Sequence, residues 1–559
     1  MGAAPRTLPE ALAAAARSSH GYRFVGARGV EYHKSYADMY AGALRVAGSL
    51  TALGLTRGDL VAIIVGDSES FLLTLFGASI AGLVPASLYP PTHTSDLPSY
   101  LEATGRVLQS CRARGVITSA PLLPHIESLK ASCPTLSAVV AFDALQGPAT
   151  TTAGAPQPSD IAFVQFTSGS TATPKGVVIT QRNLAANVAA FADGLGGSSE
   201  DVAVSWLPLY HDMGLVGMAL GAMYVRAEAV LLTPEAFVKR PIEWLRTISR
   251  YRGTVSFAPN FAYDLAVRRV KDNDLADLDL SSWRIAGCGA EPIHASTLAA
   301  FAEKFRASGF RATSFLPGYG LAEHVLAATL SPRGRELYVE RLIADDITVR
   351  RVATHANGSG ADTVSVVACG SALPDHQVQI VGDDGGQLPD RHIGEIVLTG
   401  PSVSPGYYND VETTTRAIRD GRLFTGDLGY LSKGELFVCG RAKDLIIVNG
   451  RKYHPQDLEW GIADLAGIKR GRVVAFGTTD SGGPDRAVVV AEPSGTVPAG
   501  ELTDAIRRRI VDVCGLLVDD VVLVPSGTVA RTTSGKVRRA ATKMLYERGD
   551  LAAAGTSGA

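Results

Sequence analysis

The stretch FTSGSTATPKG at residues 166–176 combines hydroxyl and glycine residues with one lysine, directly after a strand-like apolar run. Small residues that follow a strand can turn several backbone N–H groups toward an anion. Thr167, Ser168, Ser170 and Thr171 add hydroxyl donors, and Lys175 adds a positive charge. The composition predicts a phosphate-binding loop, although an ordinary flexible turn can have a similar composition. A Walker A loop is excluded, because a proline precedes the lysine and a glycine follows it.

Three further glycine-containing stretches each carry one charged side chain suited to chemistry. They are GYGLAE, which ends in Glu323, TGDLGYL, which contains Asp427, and RTTSGKVRR, which contains Lys536. Carboxylate oxygens suit a hard cation such as Mg²⁺, and a carboxylate can also accept hydrogen bonds from hydroxyls. Each residue alone has a plainer interpretation: Glu323 as a charge at a helix N-terminus, Asp427 as a turn residue, and Lys536 as part of a solvated basic tail.

Together with GRAKDLIIVNGRKYHPQDLE at residues 440–459, these stretches resemble, in the same order, the motifs of the adenylate-forming superfamily of acyl-CoA synthetases, luciferases and adenylation domains. The resemblance covers nearly the whole chain. It implies that a carboxylic acid attacks the α-phosphate of ATP, that pyrophosphate leaves, and that an acyl-adenylate forms. ATP and Mg²⁺ are the implied cofactors.

The resemblance also implies roles for individual residues. Lys536 faces the substrate carboxylate and the α-phosphate, His211 neighbours that carboxylate, and Glu323 with Thr171 holds Mg²⁺. Two anions at ~4 Å repel each other by about 4 kcal/mol at an effective dielectric of ~20, roughly a thousandfold in rate, so positive charge must be placed in advance. The residues implied to contact ATP or AMP are Thr167, Ser168, Gly169, Ser170, Thr171, Lys175, Gly289, Ala290, Glu291, Pro292, Gly318, Tyr319, Gly320, Leu321, Asp427 and Arg441.

The acyl pocket and the hinge are the softer implications. Apolar residues after LPLYHD and in SFAPNFAYDL suit an alkyl chain, but they are equally typical of ordinary core. Asp212 is either a helix N-cap or a site residue. The expected pocket residues are Met213, Gly214, Phe257, Asn260 and Phe261, and the expected hinge residues are Lys443 and Asp444.

The elements around these stretches predict an α/β protein. Apolar runs such as LVAIIVGD alternate with helical patterns, which favours buried and mostly parallel strands. Charged helices and short strands then predict a small C-terminal α+β domain, which the family resemblance implies is mobile. We expect a large, multi-subdomain N-terminal region over 1–440 and the mobile domain over 441–559. The uncharged stretch 70–89 is long enough for a membrane span, but Pro85 favours a buried helix over 71–83 and a strand over 84–88.

An insertion at about 335–365 separates the Glu323 motif from the next subdomain. ITVRRVA (347–353) alternates like an edge strand, and VSVVACGSALPDHQVQIV (364–381) is interpreted as the following strand. This insertion resembles the one that marks fatty acyl-AMP ligases, where it restrains the mobile domain and the acyl group goes to the phosphopantetheine arm of a holo acyl carrier protein. The alternatives are an acyl- or aryl-CoA ligase, a catalytically idle adenylate-binding regulator, and, for the insertion itself, a neutral surface loop.

Composition narrows the remaining classes. The 559 residues have a formal net charge of −2, which argues against bulk binding to nucleic acid. Six cysteines without a CxxC pair favour reduced thiols in the cytoplasm. The run SFAPN at 256–260 is less glycine-rich than the family pattern, and His324 follows the motif glutamate, so neither position supports a long-chain preference.

Overall fold

The computed structural model describes residues 6–26, 30–91, 97–149, 155–167, 174–356, 358, 363–448, 451–479, 485–531 and 537–551. The α-helices are, in chain order, Leu8–Ala15, Tyr36–Ala52, Ser68–Ile80, Leu97–Ser110, Leu123–Glu127, Gln181–Leu195, Gly221–Val225, Pro234–Lys239, Ile242–Tyr251, Asn260–Arg269, Ala295–Phe305, Val411–Ala417, Pro455–Gly461, Ala499–Cys514 and Arg539–Glu547. Two π-helices, Met213–Leu220 and Asp346–Arg350, complete the main helical elements.

The first two sheets form the large α/β region. Strands β1 to β14 are Gly21–Val25, Glu31–Ser35, Leu60–Ile64, Val84–Ser87, Gly115–Thr118, Ala138–Ala141, Ile161–Thr167, Lys175–Thr180, Val202–Ser205, Glu228–Leu232, Val255–Ala258, Ile285–Cys288, Phe315–Gly320 and Ala327–Leu330. Five of them pair in parallel in the order β6-β5-β3-β4-β7, with β8 antiparallel at the edge. The α/β prediction is confirmed: LVAII in β3 is buried at every position, as expected for a strand covered on both faces.

The uncharged stretch 70–89 folds largely as the sequence predicts. Helix Ser68–Ile80 is capped by the Asp67 side chain, which accepts from the Ser70 N–H, and its residues from Ser70 to Ile80 are buried. Strand β4 follows after the tight turn at Gly82, which has a φ of 71°. Within the described residues, no helix has both the length and the apolar character that a membrane crossing needs.

A third sheet follows and carries two of the site residues. Strands β15 to β22 are Val339–Ile343, Thr363–Val367, Ser371–Ala372, Gln377–Val381, Gly394–Thr399, Ile418–Arg419, Arg422–Ser432 and Glu435–Arg441. Strands β18, β19, β21 and β20 pair in that order, and β22 pairs with β21. The antiparallel pairing of β21 with β22 places Asp427 directly opposite Arg441, although 14 residues separate them in the sequence.

Two predictions about the insertion are wrong. ITVRRVA is not an edge strand, because Asp346–Arg350 is a π-helix. Arg351, with a φ of 55°, is the C-cap that follows it. The pairing strands are instead β15 and β16, an antiparallel hairpin. The stretch 364–381 is also not one strand, because the backbone turns at Gly370 (φ 77°) and contributes β16, β17 and β18 to three different sheets.

The insertion is held by a buried carboxylate rather than exposed as a loose loop. Glu340 of β15 is 2% exposed and accepts from Tyr430 Oη at 2.9 Å, Ser432 Oγ at 3.1 Å and Arg391 Nη1 at 3.0 Å. Arg391 also donates to the Ala353 carbonyl, beyond the π-helix. Because an unpaired buried charge is costly, this network anchors the insertion to the third sheet.

The last described residues build a small α+β unit of their own, as the sequence predicts. Strands β23 to β27 are Ile446–Val448, Arg451–Tyr453, Ile468–Thr479, Asp485–Pro493 and Asp520–Leu523, and the last three form one sheet. Helices Pro455–Gly461 and Ala499–Cys514 cover it with a separate apolar cluster. Strand β24 lies against the π-helix of the insertion, so the insertion contacts this unit directly.

Candidate active site

A carboxylate clamp forms where β13, β21 and β22 meet. Asp427 is 5% exposed, and its Oδ2 accepts from Tyr319 Oη at 2.7 Å while its Oδ1 accepts from Arg441 Nε at 2.8 Å. Asp427 raises the pKa of Arg441. Burial is the main cause that raises the pKa of Tyr319, and the charge of Asp427 adds to it. Each carboxylate oxygen has a second lone pair. The clamp can therefore still accept hydrogen bonds from two neighbouring hydroxyls.

A second carboxylate, Glu323, lies beside the strand that follows the expected phosphate loop. Its Oε1 accepts from Tyr407 Oη at 2.7 Å, and Lys175 Nζ lies 5.5 Å from the centroid of the same tyrosine ring. Burial is the main cause that raises the pKa of Tyr407, and the charge of Glu323 adds to it. The hydroxyl therefore stays protonated and can donate. Glu323 also raises the pKa of Arg441, although by less than Asp427 and Tyr319 do. The two carboxylate centres are therefore neighbours.

Backbone packs closely at two glycines of the expected nucleotide motifs. A Cβ added at Gly289, in the GAEP stretch (residues 289–292), would lie 2.8 Å from the Gly318 carbonyl oxygen, and one at Gly320 would lie 1.8 Å from the Leu326 carbonyl oxygen. Ala290 adopts a φ of 65°, a conformation that is uncommon outside glycine. Both glycines are therefore required by the close approach of neighbouring backbone, which any larger residue would displace.

The remaining GAEP residues are tied to the start of helix Asn260–Arg269. Glu291 Oε1 accepts from the Phe261 N–H at 2.6 Å, and Asn260 Oδ1 accepts from the His294 N–H at 2.9 Å. Asn260 was expected to line the acyl pocket, and in the structure its amide oxygen holds the GAEP backbone. Pro292 and Leu321 lie in the same two segments, next to Glu291 and Gly320 respectively.

The expected acyl-side residues surround a π-helix. Asp212 accepts from the Met213 N–H at 2.7 Å, which favours the interpretation of Asp212 as the cap of helix Met213–Leu220. A Cβ at Gly214 would lie 2.4 Å from the Pro208 carbonyl oxygen, so a larger residue cannot replace it without a backbone shift. The ring of His211 lies 5.3 Å from that of Tyr210, just before this helix.

Phe257 and Phe261 belong to the aromatic wall below this helix. The Phe257 ring lies over Gly287, where an added Cβ would be 2.1 Å from the ring, and its centroid is 5.3 Å from that of Phe191. Phe261 packs edge-on against Trp206 at 6.1 Å. Both phenylalanines also pack with the main hydrophobic core, so their contacts agree with either a pocket wall or ordinary core.

The expected hinge residues lie beside an arginine of the last helix. Asp444 Oδ2 accepts from Arg539 Nη1 at 2.8 Å, and Arg539 Nη2 also reaches Glu459 Oε1 at 2.8 Å. Burial, followed by the nearby Arg441, lowers the pKa of Lys443. Asp444 is therefore tied by an ion pair to the last helix of the small C-terminal unit.

Several expected residues lie outside the described residues: Ser168, Gly169, Ser170, Thr171 and Lys536. The described ends of both segments nevertheless lie together. Thr167 pairs with Lys175 across β7 and β8, and Arg531 pairs with Val537 in an isolated bridge.

The C-terminal unit contacts the GAEP region at two places. Trp460 packs its ring perpendicular to that of His294, with centroids 3.6 Å apart. Burial lowers the pKa of Arg531, and the nearby Arg472 lowers it further, whereas Glu291 raises it. The effect of Glu291 indicates that Arg531 lies near that glutamate. The C-terminal unit therefore lies against the GAEP region.

Two residues of this arrangement are not predicted by the sequence. Tyr407 lies 84 residues from Glu323, in the unremarkable stretch SPGYYND, and no spacing rule links them. Arg539 reads as one more charge in a solvated basic tail. Only its burial, with 14% of the side chain exposed, distinguishes it from the exposed Arg538 beside it.

Comparisons with known proteins agree with this geometry. The model of the AMP-binding enzyme family matches residues 12–408. A Caulobacter vibrioides protein provisionally named an acyl-CoA synthetase is 36% identical over 97% of this chain and 96% of its own length. The medium-chain-fatty-acid--[acyl-carrier-protein] ligase JamA of Moorena producens is 34% identical over 89% and 87%. A solved structure from a study of fatty acyl-adenylate ligases of E. coli and L. pneumophila is 38% identical, with a TM-score of 0.92 over 97% of this chain and 98% of the other. The chain therefore belongs to the AMP-binding enzyme family, and its fold is that of the fatty acyl-adenylate ligases.

Proposed function

We propose that the protein activates a fatty acid with ATP to give acyl-AMP and pyrophosphate, and then transfers the acyl group to the phosphopantetheine thiol of an acyl carrier protein. The observation that carries the proposal is a pair of carboxylate centres, each next to a cation. Asp427 is bound by Arg441, and Glu323 is bound by Tyr407, whose ring faces Lys175. Carboxylates there suit ribose hydroxyls and a metal, and the cations suit phosphates.

In this proposal the nucleotide lies across the two carboxylate centres. Asp427 accepts the ribose hydroxyls, Arg441 orients that carboxylate through its hydrogen bond, and Tyr319 borders the adenine. Glu323 and Thr171 would hold Mg²⁺, which on binding neutralises charge on the phosphates. The glutamate fits this role because Tyr407 engages only its Oε1 among the hydrogen bonds described. Residues 167–175 contact the phosphates.

The chemical step places the fatty acid carboxylate near His211 and the π-helix. The carboxylate oxygen forms a bond to the α-phosphorus, and the bond from that phosphorus to the bridging oxygen of pyrophosphate breaks. Lys536 supplies the positive charge between the two anions. The resulting test is Lys536→Ala, which should abolish acid-dependent pyrophosphate release while ATP affinity, measured by calorimetry, stays within about threefold. Wild-type release by this variant contradicts the role.

Transfer requires a different arrangement of the same site. We infer that residues 441–559 turn about Lys443 and Asp444 so that the Lys536 segment withdraws and the acceptor thiol enters. The insertion supports a carrier protein as acceptor, because its π-helix lies against β24 of the moving unit and its Glu340 network keeps it in place. The described cysteines are free thiols, which suits the reducing cytoplasm.

The second candidate is an acyl-CoA ligase, which the name of the Caulobacter relative favours. One experiment separates the two. A panel of acids is first screened by hydroxylamine trapping of the adenylate, and the best acid is then supplied with ATP and either CoA or a holo carrier protein. We expect rapid acylation of the carrier protein and slow acyl-CoA formation. Efficient thioester formation with CoA overturns the choice of acceptor but not that of adenylation.

A further inference from the structure

The segment that contains Tyr407 joins the phosphate-loop strand to the metal glutamate. The Tyr408 N–H donates to the Gly176 carbonyl at 2.7 Å, so residues 406–408 run beside β8. The Ser404 N–H donates to the Glu323 carbonyl at 2.9 Å, and Ser404 Oγ donates to the Val178 carbonyl at 2.7 Å. One short segment thus fixes the backbone on both sides of the site.

The Tyr407 side chain repeats this connection at the level of the functional groups. Its hydroxyl donates to Glu323 Oε1 at 2.7 Å, and its ring faces Lys175 Nζ at 5.5 Å. The Tyr407 N–H donates to Thr414 Oγ1 at 2.9 Å, which holds the residue against helix Val411–Ala417. A donor with a fixed backbone removes rotational freedom from the carboxylate that it binds.

We propose that Tyr407 is a positioning residue for the metal and triphosphate centre, a role that rests on the proposed function. Its hydroxyl orients Glu323 so that the second carboxylate oxygen meets the metal, and its ring holds the Lys175 ammonium beside the phosphates. Partners that hydrogen-bond a metal-ligating carboxylate typically change metal affinity about 10- to 100-fold when removed. A cation on an aromatic ring contributes less, about two- to fivefold.

The two functions of the side chain can be removed separately. Tyr407→Phe deletes the hydroxyl and retains the ring, whereas Tyr407→Leu deletes both. The matched control is Tyr408→Phe, because the neighbouring side chain packs against a different apolar cluster around Val107 and Leu108. Circular dichroism melting curves establish that each variant is folded before binding is compared.

The decisive readout is binding rather than turnover. Electron paramagnetic resonance of free Mn²⁺ gives the affinity of the metal for each enzyme bound to a non-hydrolysable ATP analogue, and calorimetry without metal gives the affinity of the analogue alone. We expect Tyr407→Phe to weaken Mn²⁺ binding at least about tenfold, with analogue affinity in the absence of metal unchanged. Tyr407→Leu should weaken metal binding to a similar degree. It should also weaken binding of the analogue without metal by about two- to fivefold, because the ring that faces Lys175 is lost.

Three results would overturn the assignment. Unchanged Mn²⁺ affinity in Tyr407→Phe removes the link to Glu323, and tighter Mn²⁺ binding makes the hydroxyl a competitor of the metal instead. Equal losses in Tyr407→Phe and Tyr408→Phe indicate general softening of the segment. Because binding is measured without an acid substrate, the outcome stands even if no acid in the panel supports pyrophosphate release, a result that would count only against the proposed function.

Discussion

Arg539 offers the sharpest test of how the small C-terminal unit is held together beside the expected hinge. Its guanidinium donates to Asp444 at 2.8 Å, to both oxygens of Glu459 at 2.8 and 3.0 Å, and to the Ala475 carbonyl at 2.9 Å. Its side chain is 14% exposed and that of Glu459 is 11% exposed. Arg539→Ala therefore leaves a buried carboxylate without its partner.

The magnitude follows from that burial. Removing one partner of a buried ion pair costs about 3–5 kcal/mol, and because Asp444 is partly exposed we take about 3 kcal/mol here. Arg539→Lys retains the charge but cannot bind both carboxylates through a planar fork, so it should cost about 1–2 kcal/mol. Arg538→Ala is the matched control, because that neighbouring side chain is exposed.

Hydrogen exchange measured by mass spectrometry reports this cost locally. The Ala475 N–H donates to Glu459 Oε1 at 2.9 Å, so peptides that cover Ala475 should exchange about 150-fold faster in Arg539→Ala, the equivalent of 3 kcal/mol. Pyrophosphate release should fall at least tenfold, because Lys536 lies three residues away and small misplacements are costly. Exchange no faster than in Arg538→Ala, or equal effects of the lysine and alanine variants, would refute the reasoning.

Three further perturbations address the clamp, the insertion and pH. Asp427→Asn should weaken AMP binding in calorimetry by about tenfold or more, since charged hydrogen bonds contribute about 1.5–3 kcal/mol; unchanged affinity would argue against the ribose role. Glu340→Gln should lower the melting temperature and retain adenylation but increase the share of acyl transfer to CoA in a competition assay, and an unchanged share would make the network purely structural. Burial, followed by Glu459, raises the pKa of Asp457 from 3.8 to about 7, so its contribution to stability is present below pH ~4 and is lost as pH rises through ~7. Asp457→Asn should therefore be more stable than wild type at pH 8 by about 2–4 kcal/mol. The helix N-terminus favours the ionised acid and brings the gain toward the lower figure. Urea unfolding at pH 5 and pH 8 measures the difference, and a variant that is less stable than wild type at pH 8 contradicts the prediction.

Much of the fold could be predicted from local patterns. The run LVAII is apolar at every position, which is typical of a strand covered on both faces, and β3 is that strand. The roles of Asp427 and Glu323 were predicted instead from the resemblance of several ordered motifs to those of a known family, because each residue alone has a plainer interpretation. Local pattern therefore predicted the buried strands, whereas the site residues required the family motifs.

The errors lie where local preference yields to tertiary packing. ITVRRVA alternates like a strand, yet Asp346–Arg350 closes into a π-helix. Pairing is confined to the residues that follow, where Val352 forms an antiparallel bridge with His392. The burial of Glu340 has no local signal, because its partners Tyr430 and Ser432 of β21 and the turn residue Arg391 are distant in the sequence.

By itself, the sequence determined the chemistry that this protein carries: a phosphate loop, two carboxylates and a terminal lysine in a recognisable order. The tertiary structure alone decided which partners orient those groups. Tyr407 reaches Glu323 across 84 residues, and Arg539 reaches Asp444 across 95. The physical reason is that a buried charge needs a partner, and the fold can supply that partner from any part of the chain. Strand register and packing, rather than distance along the chain, decide which residues meet.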